Sequence, residues 1–223
     1  MTQSFLQAAF FYWYIVKLSR EKFEAMLIER HGESIHRKLQ SAIVGIAGLG
    51  GLGSNVAISL ARIGIGKLVI ADFDAVEPSN LNRQQYFIEQ LGTDKVTALT
   101  ENLRKINPYI KIDGNQTKLK PDNIPTIFAD CSIIAECFDK ADQKQMLVET
   151  VLNKMHNVII VAVSGLGGYG KSNEIETRKI SDRLILIGDG SSGIESGFSL
   201  MAPRVAIAAG HQANAIIEMI LEK

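Results

Sequence analysis

The sequence predicts an α/β fold with a doubly wound, mostly parallel Rossmann-like sheet and a late antiparallel strand region. Three observations predict it: strand-like and helix-like segments alternate along most of the chain, the strands are continuously apolar, and a glycine-rich turn joins the first strand to a helix. Continuously apolar strands are typical of parallel sheets covered by helices on both faces. At 223 residues, with 46% hydrophobic and 22% charged residues, the composition is that of one globular domain.

The predicted elements begin with two helical segments. Ser19 is a suitable N-cap for a helix that ends at Gly32, and Ile35 and Leu39 predict a further helical turn. Six strands are predicted after them, at residues 42–46, 67–71, 109–112, 132–137, 158–163 and 184–187. Four more helices are predicted, at residues 54–63, 95–106, 143–155 and 204–221. Residues 165–182 are glycine-rich and then polar, and we expect them to form a long irregular connection.

The chain is expected to consist of an aromatic-rich N-terminal extension, residues 1–18, and a single domain, residues 19–223. The apolar run at 8–16 is much shorter than the roughly 20 residues that span a bilayer. Three interpretations of the extension stay open: an arm that docks on a groove or a second subunit, a weak contact with a membrane surface, or a segment without catalytic importance. We favour the third.

Charge and cysteine content exclude several classes of protein. Lys and Arg together number 24, as do Asp and Glu, so no overall positive charge attracts nucleic acid or an anionic membrane. The chain has two cysteines and no Cys-x-x-Cys, which excludes a disulfide scaffold and a structural four-cysteine zinc site within it. We therefore expect a cytoplasmic protein with no nucleic-acid or membrane partner.

A glycine-rich turn follows the first predicted strand. Gly48, Gly50 and Gly53 form a Gly-x-Gly-x-x-Gly motif before a helix that begins near Ser54. Alone the motif is weakly specific, but here its glycines allow a tight turn and a close approach to phosphate, and the helix N-terminus favours an anion. Asp72 ends the next strand, roughly 20 residues after Gly50, where a carboxylate binds ribose hydroxyls in such folds. These features predict an adenine nucleotide at the turn.

The choice between a dinucleotide and ATP depends on the cations near the turn. Group transfer from ATP needs Lys, Arg or Mg²⁺ to stabilise the charge of the leaving group. Arg83 and Lys95 follow the second strand, and we expect them to face the phosphates, although either one singly has the alternative of an ordinary surface charge.

Seven short motifs together resemble a known family. They are Gly-Leu-Gly-Gly-Leu-Gly at 48–53, Asp-Phe-Asp at 72–74, Ser-Asn-Leu-Asn-Arg-Gln at 79–84, Gly-Thr-Asp-Lys at 92–95, Ile-Asn-Pro at 106–108, Cys-Phe-Asp at 137–139 and Met-Ala-Pro-Arg at 201–204. The combination resembles the E1-like ThiF/MoeB/HesA adenylyltransferases, and is most similar to short ThiF-type proteins that lack a zinc ribbon. The resemblance covers roughly residue 30 to the C-terminus.

The resemblance implies a role for each matching residue. The glycine loop is implied to bind the ATP phosphates and ribose through Gly48, Gly50, Gly51 and Gly53. Asp72 is implied to bind the ribose hydroxyls, Asn80, Arg83 and Lys95 the triphosphate, and Asp139 a Mg²⁺ ion. Arg83, Lys95 and Asp139 are thus the expected catalytic residues. Asp139 also follows a predicted strand, where open α/β sheets bind ligands, although an N-cap role for the next helix is the alternative.

The sequence departs from the family pattern in two places. The family usually has Thr-Asp-Asn where this chain has Phe-Asp-Lys at 138–140. Two interpretations of Lys140 stay open, help with the departure of pyrophosphate and an ordinary surface position, and we favour the second. Some relatives carry a cysteine in the connection that corresponds to residues 165–182, and this chain has none there. Cys131 immediately precedes the predicted strand 132–137 and Cys137 ends it; a free cysteine at such positions is usually buried packing, so no covalent thioester is expected.

The resemblance implies ATP-dependent adenylylation of the C-terminal carboxylate of a ubiquitin-like sulfur carrier with a Gly-Gly tail. It further implies ATP and Mg²⁺ as cofactors, a separate sulfur donor, a role in thiazole or related synthesis, and a homodimer in which Arg30 or Arg37 loosely matches an arginine lent across the interface. Three alternatives stay open: a tRNA-modifying relative that activates a nucleoside carboxylate, an NAD-dependent oxidoreductase, and a non-catalytic partner subunit. The neutral charge disfavours the first, and the combination of Arg83, Lys95 and Asp139 disfavours the last.

Overall fold

A computed structural model describes residues 18–193 and 199–222 of the chain. The strands are β1 Ile43–Ala47, β2 Lys67–Asp72, β3 Lys111–Gln116, β4 Ile133–Glu136, β5 Ile159–Val163, β6 Glu176–Ser181 and β7 Leu184–Gly188. The helices are α1 Arg20–His31, α2 Glu33–Ser41, α3 Gly51–Arg62, α4 Lys95–Ile106, α5 Ile124–Ile127, α6 Ala141–Lys154 and α7 Ala202–Leu221. Apart from its last residue, the predicted aromatic extension lies outside the described residues.

The seven described strands form one sheet in the order β3-β2-β1-β4-β5-β7-β6. Neighbouring strands are parallel except for β6 and β7, which are antiparallel. The strand order reverses beside β1, which pairs with β2 on one side and β4 on the other. Open α/β sheets bind ligands at such a switch point. The doubly wound sheet and its late antiparallel pair are therefore as predicted.

Helices cover both faces of the sheet. Helices α3, α4 and α7 pack on one face, where Leu60 and Ile216 share a core with Ile46 of β1. Helices α5 and α6 pack on the other face. There Phe128 and Leu147 share a second core with the strand residues whose side chains lie on that face. The central strands are buried on both sides, which explains why their sequences are apolar throughout instead of alternating.

The structure corrects the sequence prediction at one strand that was missed. Strand β6 lies inside the polar run that was expected to be irregular, and all six of its residues are exposed. It is an edge strand paired only with β7 among the described strands, so its own side chains carry no apolar pattern. Strand β3 is the opposite edge, and it begins two residues later than predicted and extends to Gln116.

The predicted helix boundaries differ from the observed ones by a few residues. Helix α3 begins at Gly51 instead of Ser54, and α7 begins at Ala202 instead of Arg204. The N-cap is confirmed at Ser19, whose hydroxyl accepts a hydrogen bond from the Lys22 N–H. In the described part of the chain, no helix combines the length and the apolar character needed to cross a membrane.

Candidate active site

A cavity of about 730 Å³ lies at the carboxyl ends of six strands. The segments that follow β1, β2, β3, β4, β5 and β7 all contribute to its lining. Its volume is within the range of small-molecule binding pockets, about 300–1,000 Å³. Its position at the switch point of the sheet is where the sequence predicts the nucleotide. All but one of the predicted site residues line the cavity. The lining residues among them are Gly48, Gly50, Gly51, Asp72, Asn80, Arg83, Lys95 and Asp139.

The exception is Gly53, which does not line the cavity. A Cβ atom at this position would lie 1.9 Å from the carbonyl oxygen of Gly48, so no side chain fits there. Gly53 thus permits the close packing of α3 on the end of β1. Gly48 has a φ of +91°, the left-handed conformation that favours glycine. Two glycines of the motif therefore shape the turn, while Gly50 and Gly51 bring the N-terminus of α3 to the cavity.

The first turn of α3 gives this end of the cavity an anion-binding character. The first four N–H groups of an α-helix have no partner within the helix, and the helix dipole adds a partial positive charge. The Tyr86 hydroxyl donates to the Leu49 carbonyl oxygen at 2.8 Å, and the Ser54 hydroxyl donates to the Gly50 carbonyl oxygen at 2.7 Å. These bonds fix the turn between β1 and α3. Tyr86 was not predicted as a site residue, because nothing local to its sequence indicates this contact.

Asp72 ties the end of β2 to the glycine turn. Its carboxylate accepts hydrogen bonds from the Leu49 N–H at 2.6 Å and the Asp74 N–H at 2.8 Å. Burial raises the pKa of Asp72 above its ordinary value, while Lys95 and these two N–H donors oppose that rise. The carboxylate lies on the cavity wall and has lone pairs left, since two oxygens offer about four acceptor sites. It therefore combines a structural bond with room for a hydroxyl donor.

Lys95 is the first residue of α4, and its side chain is only 7% exposed. Its ammonium group forms an ion pair of 2.9 Å with Asp74, which follows β2 closely. The pair holds the cation at the cavity wall beside the residue that ends β2. Asp74 is half exposed and was not predicted to have a role, although it belongs to the Asp-Phe-Asp motif.

Asn80 and Arg83 lie on the segment between β2 and α4. The Asn80 side-chain oxygen accepts from the Glu77 N–H at 3.0 Å, which closes a short turn. Arg83 donates through Nη1 to the Ser79 carbonyl oxygen at 3.1 Å and to the Asn82 side chain at 2.8 Å. Its Nε is buried and has no hydrogen-bond partner among the residues that the structure describes. The guanidinium is thus positioned by its own turn and retains donor capacity at the cavity.

Asp139 lies at the opposite side of the glycine turn, between β4 and α6. Its side chain is exposed at the cavity, and Lys140 and Asp142 line the same rim. Lys140 is exposed, as predicted, but its position on the rim gives it contact with the cavity. No group of three or more metal-ligating side chains forms among residues 18–193 and 199–222. A single carboxylate suits Mg²⁺ bound together with phosphates, since that ion keeps most of its waters and takes few protein ligands.

A buried acid and a lysine that the sequence analysis missed support the Asp139 segment. Glu136 at the end of β4 is fully buried, and its carboxylate accepts from the Phe138 N–H at 2.7 Å. Lys144 of α6 donates to the Glu136 carboxylate at 3.0 and 3.2 Å and to the Val163 carbonyl oxygen at 3.0 Å. Burial raises the pKa of Glu136, and Lys144 opposes the rise. The pair joins the carboxyl ends of β4 and β5, and Lys144 itself lines the cavity.

The other predicted features lie as follows. Both cysteines are buried, and burial raises the pKa of the Cys131 thiol to about 12 and also raises that of Cys137. Cys137 lines the cavity, yet its surroundings favour the thiol over the nucleophilic thiolate. Arg30 and Arg37 do not line the cavity of their own chain, and Arg37 forms an ion pair with Glu33.

The fold and the cavity define a doubly wound α/β domain that brings a glycine turn, a strand-ending aspartate and two cations together at one switch point. The chain belongs to the ThiF family, whose sequence profile matches residues 24–223. This result confirms the family resemblance that the seven motifs predict.

Two curated relatives illustrate the similarity in sequence. The chain is 36% identical over 128 residues to the adenylyltransferase and sulfurtransferase uba4 of Aspergillus niger, which covers 57% of this chain and 27% of that protein. It is 39% identical over 114 residues to the adenylyltransferase and sulfurtransferase MOCS3 of Xenopus laevis, which covers 51% of this chain and 25% of that protein. The matched region therefore spans about a quarter of the length of these relatives.

Two solved structures illustrate the similarity in fold. The tRNA N6-threonylcarbamoyladenosine dehydratase of E. coli in complex with ATP superposes with a TM-score of 0.81 at 20% identity, over 93% of this chain and 98% of that one. MccB of E. coli with ATP gives a TM-score of 0.63 at 23% identity, over 85% of this chain and 58% of that one. At these identities the likeness concerns the fold.

Proposed function

We propose that this protein uses ATP to adenylylate the C-terminal carboxylate of a ubiquitin-like sulfur carrier protein with a Gly-Gly tail, releasing pyrophosphate. One observation carries the proposal: Arg83, Lys95 and Asp139 line one cavity together with the glycine turn. A dinucleotide would need the turn and Asp72 alone, whereas two additional cations and a free carboxylate suit a triphosphate. Family membership and the adenylyltransferase names of the curated relatives support the same reaction.

In the proposed reaction a carboxylate oxygen of the carrier attacks the α-phosphorus of ATP. The bond between the α-phosphorus and the bridging oxygen breaks, and pyrophosphate leaves with its electron pair, which gives the carrier acyl-adenylate. No general base is required, because a C-terminal carboxyl group is ionised near pH 7. The N-terminus of α3 and Gly50 and Gly51 would bind phosphate oxygens through backbone N–H groups.

The charged side chains have separate roles in this reaction. Arg83 and Lys95 would stabilise the negative charge that develops on the leaving pyrophosphate. Asp72 would accept hydrogen bonds from the ribose hydroxyls, and Asn80 would donate to the triphosphate. Asp139 is the residue that would hold Mg²⁺, which when bound supplies further neutralisation of the phosphate charge.

The product and its surroundings extend the proposal. The carrier acyl-adenylate is a reactive mixed anhydride, and a separate sulfur donor would displace AMP to give a carrier thiocarboxylate. We place this in the synthesis of a thiazole or a related sulfur-containing product. We also propose that the protein acts in the cytoplasm as a homodimer. The two buried cysteines take no covalent part in this scheme.

ATP–pyrophosphate exchange tests the proposal directly. The protein is incubated with ATP, Mg²⁺, labelled pyrophosphate and a purified ubiquitin-like sulfur carrier that ends in Gly-Gly, and the same carrier without its last glycine is the control. We expect label to enter ATP only with the intact carrier. Binding of ATP without exchange for any carrier of a panel would contradict the proposal. A thermal-shift comparison of Mg-ATP, NAD and tRNA in the same buffer separates the alternative functions.

A further inference from the structure

A buried ion pair lies beside the cavity, between the end of β7 and the first turn of α7. Arg204, in the first turn of α7, and Asp189, just after β7, are 2.5 Å apart, and their side chains are 3% and 6% exposed. Charged side chains are almost never buried to this extent unless they are paired and hydrogen-bonded. Neither Arg204 nor Asp189 has a role in the proposed reaction as described above.

Arg204 joins three separate segments of the chain. Its Nη2 donates to Asp189, and its Nη1 donates to the carbonyl oxygens of Gly170 at 2.6 Å and Lys171 at 3.0 Å. Lys171 has a φ of +48°, and in the described part of the chain it is the only residue other than glycine with a positive φ. Such a conformation is unfavourable for lysine and persists where surrounding contacts hold it. The guanidinium therefore fixes the connection between β5 and β6 in one shape.

Asp189 fixes the segment that follows β7. One of its oxygens accepts from the N–H groups of Ser191 and Ser192, both at 2.8 Å, and the other accepts from the Ser192 hydroxyl. Burial alone would raise the pKa of Asp189, but the bonds from Ser192, Ser191 and Arg204 hold it well below the ordinary value. A Cβ atom on Gly165 would lie 2.1 Å from the Asp189 carboxylate, so the two segments are in direct contact.

The two segments that Arg204 and Asp189 fix form one wall of the cavity. Residues 164–167 and 190–192 line it from the ends of β5 and β7. Gly48, Asp72 and Lys95 line it from the ends of β1 and β2 and from α4. Because β4 separates these two groups of strands in the sheet, the β5–β7 wall lies away from the phosphate-binding turn. It is therefore available to the second substrate.

We infer that Arg204 and Asp189 are positioning residues for the carboxylate substrate, because they set the wall against which its terminal residues lie. The inference rests on the proposed function and assigns residues to its second substrate. A buried ion pair is weak evidence for stability, since apolar residues of similar volume often replace one at no cost. Apolar residues cannot, however, bond two N–H groups of the cavity wall and two carbonyl oxygens of the connection between β5 and β6, which is what this pair does.

The kinetic consequence is specific to one substrate. Replacement of Arg204 by Met or of Asp189 by Asn releases residues 164–171 and 189–192, while the glycine turn and Lys95 keep their contacts. We expect the KM for the carrier to rise at least about tenfold, because a misplacement of about 1 Å costs up to about 100-fold. The KM for ATP is expected to stay unchanged. The conservative Arg204→Lys variant should recover part of the loss, since it restores the charge but not the fork of donors.

Arg183→Met is a matched control. Arg183 donates to the carbonyl oxygens of Met155 at 3.1 Å and Leu152 at 2.6 Å, yet it does not line the cavity. A loss of general stability would therefore affect Arg183→Met as well as Arg204→Met, whereas a change in the KM for the carrier should appear only in the latter. Hydrogen exchange of residues 164–171 and 189–192 is measured in parallel and should rise in Arg204→Met and Asp189→Asn alone.

The experiment is ATP–pyrophosphate exchange with a purified ubiquitin-like carrier ending in Gly-Gly, with the two KM values measured for the wild type and the four variants. A raised KM for the carrier with an unchanged KM for ATP supports the inference. An unchanged KM for the carrier, or an equal rise in both KM values, overturns it. If Arg204→Met fails to fold, the KM values of Asp189→Asn and Arg204→Lys decide whether the inference holds. Absence of exchange by the wild type itself overturns the proposed function, and this inference with it.

Discussion

The two walls of the cavity are held in place by different kinds of interaction. The wall at β1 and β2 is built mainly from short stretches of sequence in which backbone groups make the contacts, such as the bond from the Leu49 N–H to Asp72, with one ion pair, Lys95–Asp74, beside them. The wall at β4, β5 and β7 depends on two ion pairs with a buried carboxylate, Glu136–Lys144 and Asp189–Arg204, that join separate elements. Thus short-range backbone contacts shape the glycine turn, whereas the opposite wall is held together by contacts between distant elements.

The two walls also differ in the partners of their buried carboxylates. Asp72 accepts hydrogen bonds from N–H groups within the site and remains on the cavity wall, where a ligand can reach it. Glu136 and Asp189 are instead directly paired with a cation, and neither lines the cavity. We therefore expect changes at the β1–β2 wall to affect ATP, and changes at Glu136 or Asp189 to affect stability or the second substrate.

The largest effect is expected from Lys144→Met, which leaves the buried Glu136 carboxylate without its cation. Removal of one partner of a buried pair costs about 3–5 kcal/mol, so the free energy of unfolding should fall by about 3 kcal/mol near pH 8. Burial already raises the pKa of Glu136 above its unfolded value, and loss of Lys144 raises it further. The loss of stability in Lys144→Met is therefore complete at pH values above the pKa of Glu136 in the folded protein. It declines as the pH falls toward the pKa of Glu136 in the unfolded chain, about 4.3. Urea unfolding at several pH values measures it.

The double variant Glu136→Gln, Lys144→Met is the control for this prediction. It removes the titrating carboxylate, so the dependence of the extra loss on pH should disappear. An equal loss for Lys144→Met at every pH would show that the lysine acts through packing instead of charge.

At the other wall, Lys95→Met is expected to lower the rate of ATP–pyrophosphate exchange about 100-fold, about 2.7 kcal/mol, because a cation facing the leaving group is lost. Asp74→Asn breaks the same ion pair but keeps the cation, so it should lower the rate much less. Equal losses in the two variants would mean that the pair, and not the charge of Lys95, is what matters.

Gly53→Ala and Gly50→Ala separate the shape of the turn from its contact with the nucleotide. A methyl group at Gly53 would lie 1.9 Å from the Gly48 carbonyl oxygen, and such overpacking should lower the free energy of unfolding by about 2 kcal/mol. The nearest atom to a methyl group at Gly50 is the Gln84 side-chain nitrogen at 3.8 Å, so stability should hold there while ATP binding weakens. Thermal unfolding with and without ATP measures both. Similar melting temperatures for the two variants would contradict the assignment of Gly53 to the turn.

The smallest effect is expected from Asp189→Asn on the pH dependence of stability. Because the folded pKa of Asp189 is depressed, its contribution is present above the unfolded pKa of about 3.9 and is lost as the pH falls through the lower folded value. As the pH is lowered below about 4, the free energy of unfolding should therefore fall less in the variant than in the wild type. The exposed Asp182→Asn is the matched control, since it should follow the wild-type curve. Coinciding curves for all three proteins would contradict the prediction.

Particular residues show how far the sequence carried the prediction. The glycine turn, Asp72, Arg83 and Lys95 were predicted because each lies in or beside a local motif whose spacing has a direct mechanical meaning. Strand β6 was missed because an exposed edge strand carries no apolar pattern. Glu136 and Lys144 were missed because their pairing depends on how α6 packs against the sheet.

The sequence by itself determined the class of fold, the family and the position of the glycine turn, because these depend on local periodicity and on motifs with fixed spacing. Only the tertiary structure decided that Gly53 shapes the turn without reaching the cavity, and that Arg204 and Asp189 fix the opposite wall. The physical reason is that a close approach or a buried ion pair exists only between elements already packed together. No spacing along the chain encodes which carbonyl oxygen a distant guanidinium will meet.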